Sequence, residues 1–189
     1  LQELADEYRH NKKIKMARIN FNRKSHYKGL FNQLQKKNAA RRIKKIMLIG
    51  FPMNSFMYPG TPSNYSLSNL RLELNIAKCL KNYGYEVVYK AHPDRLNEVS
   101  GIFDGRVDEI STDLFEDVYD SVDCVIFGYS GTTTFGFCLL TNKPMVLINT
   151  EEIIWRFNTK SLLEKRCRIV NAEVNNNDEI NFDELELKK

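Results

Sequence analysis

"VDCVIFGYSGTTTFGFCLLTNKPMVLIN", residues 122–149, holds a strand, a polar loop, a helix and a second strand in one line. "CVIF" and "KPMVLIN" are short apolar runs without alternation, the pattern of strands buried on both faces. Between them "GYSGTTT" supplies glycines and hydroxyls, and "TTTFGFCLLTN" reads as a helix. Two buried strands joined by a helix form a crossover, and crossovers join parallel strands. The unit therefore argues for a parallel sheet covered by helices.

The pattern repeats upstream and once downstream. "KKIMLIGF" is an apolar run closed by Gly50 and Pro52. "SLSNLRLELNIAKCLKNYG" places Leu70, Leu74, Ala77 and Leu80 at helical spacing, with Leu67 and Ile76 nearby and Gly84 where a C-cap belongs. "YEVVYKA" reads as a strand and "GRVDEIS" as a weaker one. "TDLFEDVYDSVD" reads as a helix opened by Thr112 with an acidic first turn, and "RCRIVNA" as a last strand. Strands and helices in alternation predict an α/β fold, a Rossmann-like doubly wound parallel sheet. The expected division is a basic helical segment or linker over 1–43, the Rossmann-like domain over 44–175 and a polar tail over 176–189.

Charge supports that division. Residues 1–46 hold 14 Lys and Arg against 3 Asp and Glu, whereas residues 47–189 hold 14 against 21. The longest apolar runs fall far short of the ~20 residues a membrane-crossing helix needs. The opening "LQELADEYRH" lacks the basic-then-apolar order of a signal peptide and reads as part of a longer protein. Cys79, Cys124, Cys138 and Cys167 form no C-x-x-C pair, and two lie in apolar runs, so they read as reduced thiols of a cytoplasmic protein.

In an open parallel sheet, ligands gather beyond the carboxyl ends of the strands where strand order reverses. The sequence puts "GFPMNSFMYPGTPSNYS", "AHPDR" and "GYSGTTT" after the first, second and fourth strands. Gly128 and Gly131 permit close backbone approach. Ser130, Thr132, Thr133 and Thr134 supply hydroxyls, and the following helix offers unpaired N–H groups, so the loop has the composition of a phosphate site. Helix capping by Ser130 or Thr132 is the plainer alternative, but it needs one hydroxyl. The loop lacks the G-K-[ST] ending of a Walker loop, the second glycine of G-x-S-x-G is Thr132, and no histidine follows Ser130. Nor does it match G-x-G-x-x-G, so a nicotinamide cofactor has little support. His92, extended by Pro93, stands at the same edge with Lys90 and Arg95 beside it. Its imidazole can donate to a phosphate or protonate a departing one. A surface histidine of no consequence is the alternative when His92 is taken alone. The other histidines, His10 and His26, lie in the basic segment, and no cluster has metal-ligand spacing.

"YKAHP" followed by "VDCVIFGYSGTTTFGFCLLTNKPMVLIN" resembles the C-terminal half of two-domain GT-B transferases that make bacterial surface polymers. The likeness is to CDP-glycerol glycerophosphotransferases of teichoic acid synthesis and to capsule polysaccharide enzymes, and it covers residues 44–150. It implies a glycosyltransferase or glycerophosphotransferase, with this chain as the donor-nucleotide-binding part of a larger catalytic unit. His92 would contact the donor phosphate and assist its departure. Lys90, Ser130, Gly131, Thr132 and Thr133 would bind that phosphate, without metal or cofactor. The donor would be a CDP-, CMP- or UDP-linked sugar or polyol. Gly136 stands where many relatives carry an acid, and Glu151 and Glu152 are the candidates to replace it. The family's acceptor-binding N-terminal domain does not fit into residues 1–43. A sugar-nucleotide 2-epimerase relative and a non-catalytic nucleotide- or partner-binding module are the alternatives.

The basic segment, "HNKKIKMARINFNRKSHYKGLFNQLQKKNAARRIKK", has three readings. It is a solvated linker or remnant of another domain. Alternatively its Leu30, Phe31 and Leu34 form amphipathic helices whose lysines meet anionic lipid at the inner face of a membrane. Nucleic acid comes last, because no zinc finger, helix-turn-helix or aromatic RNA-binding signature accompanies the charge.

Overall fold

The computed structural model describes residues 42–51, 63–92, 96–150, 159–175 and 180–188. All lie in the second of the two units into which the chain divides, Leu34–Lys189. The basic segment through residue 41, Arg95, Glu151 and Glu152 lie outside the described residues. In chain order come β1 (Lys45–Ile49), α1 (Ser63–Asn82), β2 (Glu86–Lys90), α2 (Leu96–Val99), β3 (Glu109–Ser111) and α3 (Phe115–Val118). Next come a 3-10 turn (Tyr119–Ser121), β4 (Cys124–Phe127), α4 (Thr133–Leu139), β5 (Met145–Thr150), α5 (Thr159–Glu164), β6 (Arg168–Val174), β7 (Ile180–Phe182) and α6 (Glu184–Lys188).

One sheet carries the fold, in the order β3-β2-β1-β4-β5-β6-β7. The first six strands are parallel, and β7 closes the edge antiparallel to β6. This is the Rossmann-like doubly wound arrangement, with the reversal of order between β1 and β4. Parallel strands covered on both faces are apolar throughout: Ile46, Met47, Leu48 and Ile49 are all buried, as are Cys124 to Phe127. Residues 46, 48, 87, 89, 124 and 126 line the face packed on Leu72, Ile76 and Leu80 of α1. On the opposite face Phe127 meets Phe135 of α4 at 5.1 Å, and Phe115, Tyr119 and Phe137 form an edge-to-face cluster.

Three details depart from the sequence reading. The buried stripe of α1 is Asn69, Leu72, Glu73, Ile76, Ala77 and Leu80, with Leu70 and Leu74 at its flank and Leu67 59% exposed. Leucine content points to one helical face, but contact with the sheet selects the neighbouring one. Thr112 opens no helix: β3 runs to Ser111, and Leu114 is the N-cap of α3, with no side-chain hydrogen bond. The polar tail is part of the fold where described, since Ile180 is buried and 180–182 pairs with 172–174.

The amino edge of the sheet is tied down by acids. Asp123 accepts from the main-chain N–H groups of Lys44 (2.9 Å) and Lys45 (3.0 Å), and Asp108 from that of Val87 (2.7 Å). The buried Lys143 ammonium donates to the carbonyls of Tyr119 and Val122 and lies 4.1 Å from the Tyr119 ring centre. Arg166 donates from Nη2 to Cys138 O at 2.7 Å and from Nε to Leu139 O at 3.1 Å, which satisfies carbonyls at the end of α4, and Nη2 also reaches Lys143 O at 2.9 Å. No described helix is long and apolar enough to cross a membrane.

Gly84 ends α1 as the spacing predicts: its φ is 79°, its N–H donates to Lys81 O, and Tyr85 N–H donates to Leu80 O. Nothing stands within 4 Å of a Cβ built there, so an alanine meets backbone strain alone. Gly136 is exposed inside α4, also with open space around it. In urea unfolding, Gly84→Ala is therefore expected to destabilise by about 1–2 kcal/mol. Gly136→Ala is expected to stabilise by about 0.5–1 kcal/mol, the same substitution with the opposite sign.

Candidate functional site

The order reversal places the ends of β1 and β4 side by side, because both strands pair directly, Ile49 opposite Phe127. Beyond β4 come Gly128, Tyr129 and Ser130, then Gly131 and Thr132 before α4. Thr132 has extended dihedrals and its hydroxyl accepts from Thr134 N–H at 3.3 Å, so it is the N-cap. Ser130 is half-buried, and Gly131 and Thr133 are exposed.

The two glycines of this loop are not demanded by the fold. Neither has a positive φ, and a Cβ on Gly128 would meet Leu72 Cδ2 at 3.5 Å, an ordinary contact, with 3.9 Å to Tyr129 the nearest approach at Gly131. Gly50 differs: a Cβ there would stand 2.6 Å from Cζ of Tyr89. Its glycine is fixed by the ring packed against the end of β1.

His92 and Lys90 belong to the end of β2, on the other side of β1 from the Ser130 loop. Two strand spacings separate the ends of β2 and β4, roughly 10 Å. His92 is exposed, two residues past the strand. Lys90 is buried and donates to Ala91 O at 2.9 Å. In register it shares a face with Ile49, Ser111 and Phe127, the face that α4 covers. Burial lowers its pKa, opposed by the negative charges of Asp113 and Glu116. Beside it the Ser111 hydroxyl is buried without a partner among the described residues. The structure thus has Ser130, Gly131, Thr132 and Thr133 together after β4 and holds His92 and Lys90 apart from them, at the end of β2 across β1.

Sequence reasoning missed the acid at the centre of this edge. Glu73 is 1% exposed, and its carboxyl accepts from Phe51 N–H and from Tyr89 Oη at 2.8 Å. Tyr89 itself stacks on Phe103, centroids 3.9 Å apart. Burial pushes the Glu73 carboxyl up to about 8, against the two hydrogen bonds, which favour the ionised form. The available signal was its position: 73, 76, 77 and 80 share a helical face, so an acid stood on the apolar stripe. Phe51 lies level with Glu73, so the first turns of α1 extend roughly 15 Å past the end of β1.

Other chemistries find less here. Burial raises Cys79 to about 11 and Cys124 and Cys138 to about 12, which leaves these thiols protonated and poorly nucleophilic at neutral pH. Among the described residues no group of three or more His, Cys, Asp and Glu is placed to hold a metal ion.

Neither a protein-family model nor a curated protein matches the chain. Solved structures are similar to it at low identity. MT0777 matches over 77% of this chain and 91% of its own, at 16% identity and a TM-score of 0.43. A prephenate dehydrogenase from A. aeolicus, in complex with hydroxyphenyl propionate and NAD+, matches over 72% of this chain and 43% of its own, at 12% identity and a TM-score of 0.39. A cobalt- and zinc-bound alcohol dehydrogenase from Pyrobaculum aerophilum matches over 76% and 39%, at 13% identity and a TM-score of 0.34. Scores this low carry no argument about activity, and the chain spans less than half the length of either dehydrogenase.

The buried carboxyl gives a signed expectation. The folded chain keeps the Glu73 proton up to about pH 8, whereas the unfolded chain releases it above 4.5. The folded state binds more protons in that window, so unfolding free energy falls as pH rises through it. Urea unfolding is expected to show a fall on the order of a few kcal/mol, and Glu73→Gln is expected to remove it. Asp108, held below its ordinary range first by the Lys81 hydrogen bond, acts in the opposite sense and only at lower pH.

Proposed function

We propose that this domain binds the phosphate of a nucleotide-activated donor and serves as the donor domain of a GT-B glycosyl- or polyol-phosphate transferase of bacterial surface-polymer synthesis. The observation that carries the reading is the loop after β4. It lies beside the β1 exit at the order reversal, with two glycines that neither dihedral strain nor packing requires. Glycine without a structural reason at such a place leaves room for a ligand to approach the main chain.

On this reading the phosphate rests against the main chain of Gly131 to Thr133, with Ser130 and Thr133 hydroxyls donating to it. Thr132 shapes the loop by capping α4, since its hydroxyl already accepts from Thr134 N–H. His92 reaches the phosphate from the β2 side and donates a proton as the nucleotide leaves. Lys90 adds positive potential from inside the sheet edge. The transfer itself involves an acceptor held by another domain.

A non-catalytic nucleotide-binding module is the second reading. It is favoured by the separation of His92 from the Ser130 loop by the whole of β1.

Titration of CMP, CDP, UDP and NAD, followed by NMR, tests both. Binding of a pyrimidine nucleotide is expected, weakened about tenfold or more in the double variant His92→Ala with Ser130→Ala. No pyrimidine nucleotide bound by properly folded protein would sink the reading. Unchanged affinity in the double variant would sink the site assignment. Binding of UDP-N-acetylglucosamine alone would favour the epimerase alternative.

A further inference from the structure

Glu73 ties together the strand ends that meet at the crevice. It belongs to α1, Phe51 follows the glycine that closes β1, Tyr89 lies in β2, and Tyr129 follows β4. The carboxyl accepts from Phe51 N–H and Tyr89 Oη. Phe51 meets Tyr129 edge-on with centroids 4.9 Å apart, and Tyr129 Oη reaches Gly50 O at 3.5 Å. A change at Glu73 is thus one contact removed from the loop after β4.

We propose that Glu73 is a proton-linked positioning residue: its ionisation sets how firmly Gly50 and Phe51 are drawn onto α1 and β2, and through Phe51 sets the position of Tyr129 at the start of the loop after β4. The proposal concerns the chain without ligand and stands apart from the nucleotide reading above.

The two protonation states need different hydrogen bonds. An ionised carboxyl accepts from both neighbours, and charge-assisted bonds of this kind are roughly twice as strong as neutral ones. A neutral carboxyl must donate its proton. Phe51 N–H is only a donor, so the Tyr89 hydroxyl has to turn from donor to acceptor. Phe51 N–H is then left with the weaker of the two bonds.

The surroundings leave this titration to Glu73. Among the described residues the titratable groups facing it are Tyr89 from β2 and, acting on Tyr89, Tyr129 from the loop after β4. Residues 51–70 contain no Lys, Arg, His, Asp or Glu. Arg71 and Lys78 of α1 are exposed. Burial and the Glu73 charge hold the Tyr89 hydroxyl well above its ordinary range, so it does not ionise in the same window.

The test is carboxyl and amide NMR of the free chain between about pH 6 and about pH 10. The Glu73 carboxyl is expected to titrate near 8, with the Phe51 and Tyr129 amide shifts following the same midpoint. In Glu73→Gln both amides are expected to lose that titration. Tyr89→Phe keeps the ring but removes a bond to the ionised form, so the midpoint is expected to rise. Amides that stay flat in the wild-type chain, or that titrate unchanged in Glu73→Gln, overturn the proposal. If Glu73→Gln fails to fold, an unchanged midpoint in Tyr89→Phe overturns it.

Discussion

β1 is paired on both sides along its length, Leu48 opposite Tyr89 in one direction and opposite Ile126 in the other. A central strand of this kind has no edge to expose and no face open to water, which is why Ile46 to Ile49 are all apolar, with the charged Lys45 only at its half-buried first position. It also fixes where the chain changes direction. The strands on the two sides of β1 are built from successive parts of the chain, so the chain leaves β1 and β4 at adjacent points, a product of strand order.

Polar groups divide between the two ends of the sheet. At the amino edge Asp123, Asp108 and Lys143 are matched to main-chain donors and acceptors, and Arg166 closes the end of α4. Such pairings satisfy buried main-chain groups and hold strand ends in register. Among the described residues at the carboxyl edge, Glu73 is buried with no cation against it, Lys90 is buried with a hydrogen bond to Ala91 O, and the Ser111 hydroxyl has no partner. Burying an ionisable group costs free energy, opposed at Lys90 by the charges of Asp113 and Glu116, and such groups cluster where a protein does chemistry or changes state.

Much of the fold was legible in sequence because it rests on short-range patterns. The apolar runs at 46–49, 87–89, 124–127 and 145–148 are strands, Gly84 is a helix terminator with positive φ, and Thr132 is a cap. The misreadings came where a local signal had to be placed against a partner. Leu67 looked like a core residue until the sheet selected the face one step around α1. Thr112 looked like a cap, but β3 takes the chain through Ser111, and the helix begins two residues later than a Thr112 cap requires.

The sequence by itself determined that strands and helices alternate, that the strands through β6 are parallel, and that glycine, serine and threonine follow the fourth strand. These follow from the period of apolar residues and from backbone preferences, which act within a few positions. Only the tertiary structure decided that Glu73, Tyr89 and the β1 exit meet, that the Lys90 ammonium turns inward, and that His92 and Ser130 stand on opposite sides of β1. Those facts depend on strand order and on which helical face is pressed to the sheet, contacts between residues far apart in sequence that no local pattern encodes.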